Sequence, residues 1–158
     1  MKRALIYKSV LSTTLALLVG WSSSLITTPL AISSWYYQLQ QPFFSPPNWI
    51  FAPVWTLLYI MMAIAAALIW QQKKTKLRDQ ALKVYLFQLG LNYLWSLIFF
   101  GLKLPWLAFG EIIILAISII WTIKLFQKIS LAAAFLLYPY LAWVSFASIL
   151  NLSLALLN

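Results

Sequence analysis

The chain has 158 residues, of which 64% are apolar and 8% charged, with 11 Lys or Arg against two Asp or Glu. Soluble proteins carry about 25% charged residues, so this composition excludes a soluble domain and makes a bilayer its solvent. About 20 apolar residues cross a hydrocarbon core of about 30 Å, which gives one compact membrane domain of about five helices. The absence of His and Cys excludes the common zinc sites, disulfides, cysteine nucleophiles and His- or Cys-ligated haem. No metal site is expected. The acids Asp79 and Glu111 lie far apart in the chain, which argues against paired-carboxylate hydrolysis. What is abundant is aromatic surface, with 9 Trp, 8 Tyr and 10 Phe.

Long apolar runs bounded by charge, Pro or Gly predict spans near residues 7–28, 49–70, 81–100, 106–126 and 131–157. The first is the weakest, with recurrent Ser and Thr and with Lys2, Arg3 and Lys8 before or just inside it. A signal peptide is the rival reading. A retained helix is favoured because no good Ala-x-Ala-like site follows and Gly20 and Ser24 form a small-xxx-small pair. With five spans, Lys2, Arg3, Lys8, Lys73, Lys74, Lys76, Arg78, Lys83, Lys124 and Lys128 fall on one side and Lys103 alone on the other. The positive-inside rule then sets the N-terminus in the cytoplasm and the C-terminus outside. Short basic flanks of this kind are not a nucleic-acid groove; lipid headgroups are their expected partners.

The segment 29–48 is the one long loop and carries no charge. Trp35, Tyr36, Tyr37, Phe43 and Phe44 alternate with Pro42, Pro46 and Pro47, too apolar for a disordered linker and too proline-broken for a helix. It is read as a lid folded onto the bundle, with an interfacial aromatic belt as the alternative. In the second span, Pro53 is expected to bend the helix or free a carbonyl beside Trp55, and Trp55, Tyr59, Met62 and Ala66 form one stripe. The third span has a polar face of Tyr85, Gln88, Asn92, Trp95 and Phe99. Its amides must find partners inside the bundle, as interhelical bonds or as ligand contacts. Glu111 in the fourth span is expected to reach outward to water, with Lys103 as a possible partner. In the fifth, Tyr140, Trp143, Ala147 and Asn151 share a face near Pro139. Three spans thus bring a Trp on a partly polar face, walls suited to a flat aromatic ligand; simple packing is the alternative.

At these residues the sequence resembles the TspO/MBR family of tryptophan-rich sensory proteins and translocator proteins. The resemblance is carried by Trp35-Tyr36 followed by Pro42, by Ser45-Pro46-Pro47-Asn48-Trp49 through Pro53-Val54-Trp55-Thr56-Leu57-Leu58-Tyr59, by Leu91-Asn92-Tyr93-Leu94-Trp95-Ser96, and by Pro139-Tyr140-Leu141-Ala142-Trp143-Val144-Ser145-Phe146-Ala147. It implies an all-α bundle of five transmembrane helices, commonly a homodimer, with a porphyrin pocket closed by the first loop. Some members also bind cholesterol and isoquinoline or benzodiazepine-type drugs. The aromatic wall would map onto Trp49, Trp55, Asn92, Trp95 and Trp143, with Trp35 in the lid. The resemblance also associates Trp55 and Trp143 with light-dependent porphyrin breakdown. The cholesterol pattern is not met, because Asn151 to Asn158 contains neither Tyr nor a basic residue.

The expected function is a plasma-membrane receptor for protoporphyrin-type tetrapyrroles, acting in sensing, sequestration or photo-oxidative handling, with no required cofactor. The expected ligand-binding residues are Trp35, Trp49, Trp55, Tyr59, Gln88, Asn92, Trp95, Phe99, Tyr140, Trp143 and Ala147. A porphyrin transporter and a light-dependent porphyrin-degrading enzyme are the alternatives.

Overall fold

The structure is a computed structural model that describes Thr14 and residues 34–158. Apart from Thr14, the expected first span lies outside the described residues. Four helical segments are long and apolar enough to cross a membrane, Asn48–Trp70, Lys76–Gly101, Pro105–Gln127 and Leu131–Leu157, and there is no strand among the described residues.

A short helix α1, Ser34–Gln38, opens the described chain. The chain then runs through Pro46 and Pro47, with Pro47 extended at ψ 140°; Ser45 and Pro46, each before a proline, are biased away from the helical region. A single 3-10 turn, Asn48–Ile50, leads into α2, Phe51–Trp70. Pro53 therefore lies in the first turn of α2, where amides lack internal partners and proline costs little. The irregularity expected at Pro53 sits upstream, as the switch from 3-10 to α.

Helix α3, Lys76–Ser96, begins five residues before the expected boundary. Thr75 caps it, its side chain accepting a 3.1 Å hydrogen bond from the Arg78 amide, and Asp79 lies in the first turn. Both features favour a helix start among residues too polar to read as a span. The helix then widens into a π turn, Leu97–Gly101. Lys103 closes the following loop in the left-handed region at φ 58°, and the Leu104 amide reaches back to the Ile98 carbonyl.

Helix α4, Pro105–Gln127, has proline in its first turn. The expected span 131–157 is divided into α5, Leu131–Phe135, and α6, Tyr138–Leu157. The break precedes Pro139, which has no N–H and whose ring collides with the carbonyl four residues back.

Helix α4 packs against α3 and α6, while α2 rests mainly on α5 and α3. Ala63, Ala65, Ala66 and Ala67 are buried on α2, the small side chains that allow close helix approach in lipid. Leu86, Phe87, Ile113, Ile117, Trp121 and Ile149 are exposed, an apolar surface suited to acyl chains.

Lengthening the fully buried Ala63 to Leu is expected to cost about 1–3 kcal/mol by overpacking. Thermal unfolding in detergent checks this: Ala63→Leu should lower Tm by several degrees, while Ile64→Leu at the neighbouring exposed position should leave it unchanged.

Candidate ligand-binding site

Two side-chain bridges organise the interior. The Tyr59 hydroxyl on α2 donates to Asn92 Oδ1 on α3 at 2.5 Å, and Asn92 Nδ2 donates to the Tyr140 hydroxyl on α6 at 3.1 Å. Each end of the amide thus holds a different helix, and all three side chains are buried. Closer to the loop between α3 and α4, Trp95 Nε1 donates to Asn151 Oδ1 at 3.0 Å, and Asn151 Nδ2 donates to the Pro105 carbonyl at 2.8 Å. This second bridge ties α3 and α6 to the start of α4.

The aromatic residues gather around these bridges. Trp55 lies 5.6 Å from Tyr59 and 6.3 Å from Tyr140, centroid to centroid. Trp143 meets Phe51 at 5.9 Å and Phe146 at 5.7 Å. Trp95 stacks on Phe99 at 5.2 Å and 17°. The Tyr59, Asn92 and Tyr140 side chains behind them are buried, whereas Trp55, Trp95 and Trp143 are each half-buried. Three helices therefore each present an indole with part of its surface uncovered.

The π turn builds the third wall. Phe99, four residues after Trp95, shares its helical face and stacks on it at 5.2 Å, and the i→i+5 spacing of the π turn brings Phe100 to the same side at 5.9 Å. The loop packs onto the same place. Trp35 meets Phe99 at 5.8 Å, Tyr36 meets Phe100 at 5.8 Å, and Phe44 meets Phe146 at 6.3 Å. The Gln40 amide donates to Asn158 Oδ1 at 2.8 Å, and Asn158 Nδ2 donates to the Gln40 carbonyl at 3.3 Å. Burial pushes the Tyr36 hydroxyl above its ordinary pKa, so its packing is intact below about pH 10 and weakens above it, as ionisation becomes the cost.

Most of the expected residues converge here: Trp35, Trp55, Tyr59, Asn92, Trp95, Phe99, Tyr140 and Trp143 through the contacts above, and Ala147, half-buried, one turn beyond Trp143. Trp49 stands apart, 74% exposed in the 3-10 turn before α2; six residues from Trp55, it does not share that residue's helical face. Gln88 is buried one turn from Asn92 with neither amide atom bonded. Glu111 differs from expectation, being buried on α4 without a hydrogen-bond partner instead of reaching outward to water or pairing with Lys103. Phe44, Phe51, Phe100 and Phe146 belong to the walls but were not among the expected residues. Their spacing gave no polar-face signal, and the π turn that places Phe100 has no local sequence signature.

A bundle of helices long and apolar enough to span a membrane, with half-buried indoles beneath a folded aromatic loop, defines the class: an integral membrane helical-bundle protein. Residues 12–157 match the TspO/MBR family, and the chain belongs to it. It is 42% identical over 154 residues to the "Tryptophan-rich protein TspO" of Archaeoglobus fulgidus, covering 97% of this chain and 98% of that one. It is 39% identical over 119 residues to the "Translocator protein" of Ovis aries, covering 74% and 70%. With the "Tryptophan-rich sensory protein" of Cereibacter sphaeroides it shares 35% identity over 124 residues, covering 78% and 77%.

Replacing Asn92 by Leu removes both bonds of the inner bridge and strands the buried Tyr140 hydroxyl, at a cost of about 1–3 kcal/mol. A lowered Tm with a shifted Trp emission spectrum is the expected outcome. Asn158→Ala releases the loop without touching the bundle core, so hydrogen exchange at the Gln40 amide should quicken markedly while amides of α4 keep their rates.

Proposed function

We propose that this protein is a membrane receptor for porphyrins, holding a protoporphyrin-type ring between the indoles of Trp55, Trp95 and Trp143 beneath the loop that carries Trp35. The observation that carries the reading is the half-burial of these three indoles on three helices, fixed from behind by the Asn92 bridge. A flat ring of porphyrin size offers each indole a stacking partner, each pair contributing about 0.5–1.5 kcal/mol beyond area burial. With no His or Cys in the chain, the metal-free ring is the better match than tightly ligated haem. No cofactor is required for binding. Such a receptor acts in tetrapyrrole sensing, sequestration or photo-oxidative handling. The half-buried Trp55 and Trp143 are the residues placed to exchange electrons with an excited ring. The receptor works as a homodimer in the plasma membrane, with Lys73, Lys74, Lys76, Lys124 and Lys128, all exposed at one end of the bundle, facing the cytoplasm.

A dark titration of the protein in lipid nanodiscs with protoporphyrin, read by Trp quenching, tests the reading. Saturable binding is expected for the wild type and loss of at least about 1 kcal/mol of affinity for Trp55→Phe/Trp143→Phe. Quenching equal to that of empty nanodiscs would overturn it.

A further inference from the structure

Among the described residues, five buried side-chain atoms have no hydrogen-bond partner: the Tyr85 hydroxyl, both amide atoms of Gln88 and both carboxyl oxygens of Glu111. Gln88 is 1% exposed and Glu111 7%. They share one interior region. Gln88 lies one turn from both Tyr85 and Asn92 on α3, Asn92 is bonded to Tyr140, and Tyr85 and Glu111 are both within electrostatic reach of Tyr140. Unpaired polar groups are costly in hydrocarbon, and intramembrane carboxylates as a rule mark a function.

The chemistry of the cluster specifies its occupant. Acceptors dominate, since a carboxylate and an amide oxygen face only the Gln88 amide hydrogens and one phenol proton as donors. No Lys or Arg is buried among the described residues, so none of these supplies a countercharge inside the bundle. The ring of Tyr85, stacked on Phe126 at 6.0 Å, adds an aromatic surface that attracts cations. Trp55 lies against Tyr140, so the cluster adjoins the aromatic recess.

We propose that Glu111, Gln88 and Tyr85 form a second, polar subsite that receives the ammonium group of a cationic aromatic amphipath whose ring occupies the recess. Glu111 supplies the countercharge, Gln88 Oε1 accepts an N–H, and the Tyr85 ring faces the cation. The inference rests on the reading of the indoles as a pocket for flat ligands and adds a ligand class to it.

Calorimetric titration of the protein in nanodiscs compares N,N-dimethyl-1-naphthylmethylamine, cationic at neutral pH, with 1-isobutylnaphthalene, its neutral carbon isostere, against empty nanodiscs. The wild type should bind the amine at least about ten-fold more tightly than the isostere. Glu111→Gln, which keeps shape and hydrogen-bonding capacity, should abolish that preference and keep the isostere's affinity; Gln88→Leu should reduce the preference. Equal affinities in the wild type, or a preference that survives in Glu111→Gln, would overturn the subsite alone and leave water as its occupant. Failure of both probes to bind would overturn the subsite and count against the aromatic pocket as well.

Discussion

The bundle depends on one constraint: in hydrocarbon a polar group finds its partner within the protein or goes without. Asn92 meets that constraint by holding Tyr59 on α2 and Tyr140 on α6 at once. The bridge works beside two ring contacts between the same helices, Trp55 with Tyr140 and Phe51 with Trp143, and a single amide ties α3 to both of them.

Interruptions of regular helix supply the rest of the site. Pro46 and Pro47 set the extended approach to α2, Pro139 separates α5 from α6, and the π turn at Leu97–Gly101 brings neighbouring phenylalanines onto one side. Each interruption falls where a neighbour absorbs it. The 3-10 turn takes up the start of α2, and the hydrogen bond from the Leu102 amide to the Leu97 carbonyl at 2.9 Å closes the π turn. The aromatic loop completes the enclosure, burying Tyr36 and leaving Phe43 fully exposed, so its inner side packs on protein while its outer side meets the interface.

Much of this was legible in the sequence. Apolar runs of span length give the helices, because hydrocarbon thickness imposes their size. The polar face of the third span isolates Asn92, because an amide in lipid must point inward. Other features were hidden for physical reasons. The start of α3 at Lys76 depends on Thr75 capping amid charged residues, which hydropathy does not register. The burial of Glu111 depends on which way α4 faces its neighbours, a tertiary outcome that local spacing leaves open. Trp49 is exposed in the 3-10 turn before α2, a placement that motif matching does not register.

The bond pair between Asn158 and Gln40 gives α6 a mechanical character. The helix runs unbroken from Tyr138 to Leu157, about 30 Å at 1.5 Å per residue, with the break before it acting as a fulcrum and the loop fastened to its far end. Trp143 lies near the fulcrum and Asn158 at the tip. A lever of this proportion amplifies: a small lateral shift imposed on Trp143 by a guest would be delivered several-fold larger to Gln40. A displacement at Trp143 would then be legible at the loop, as its position.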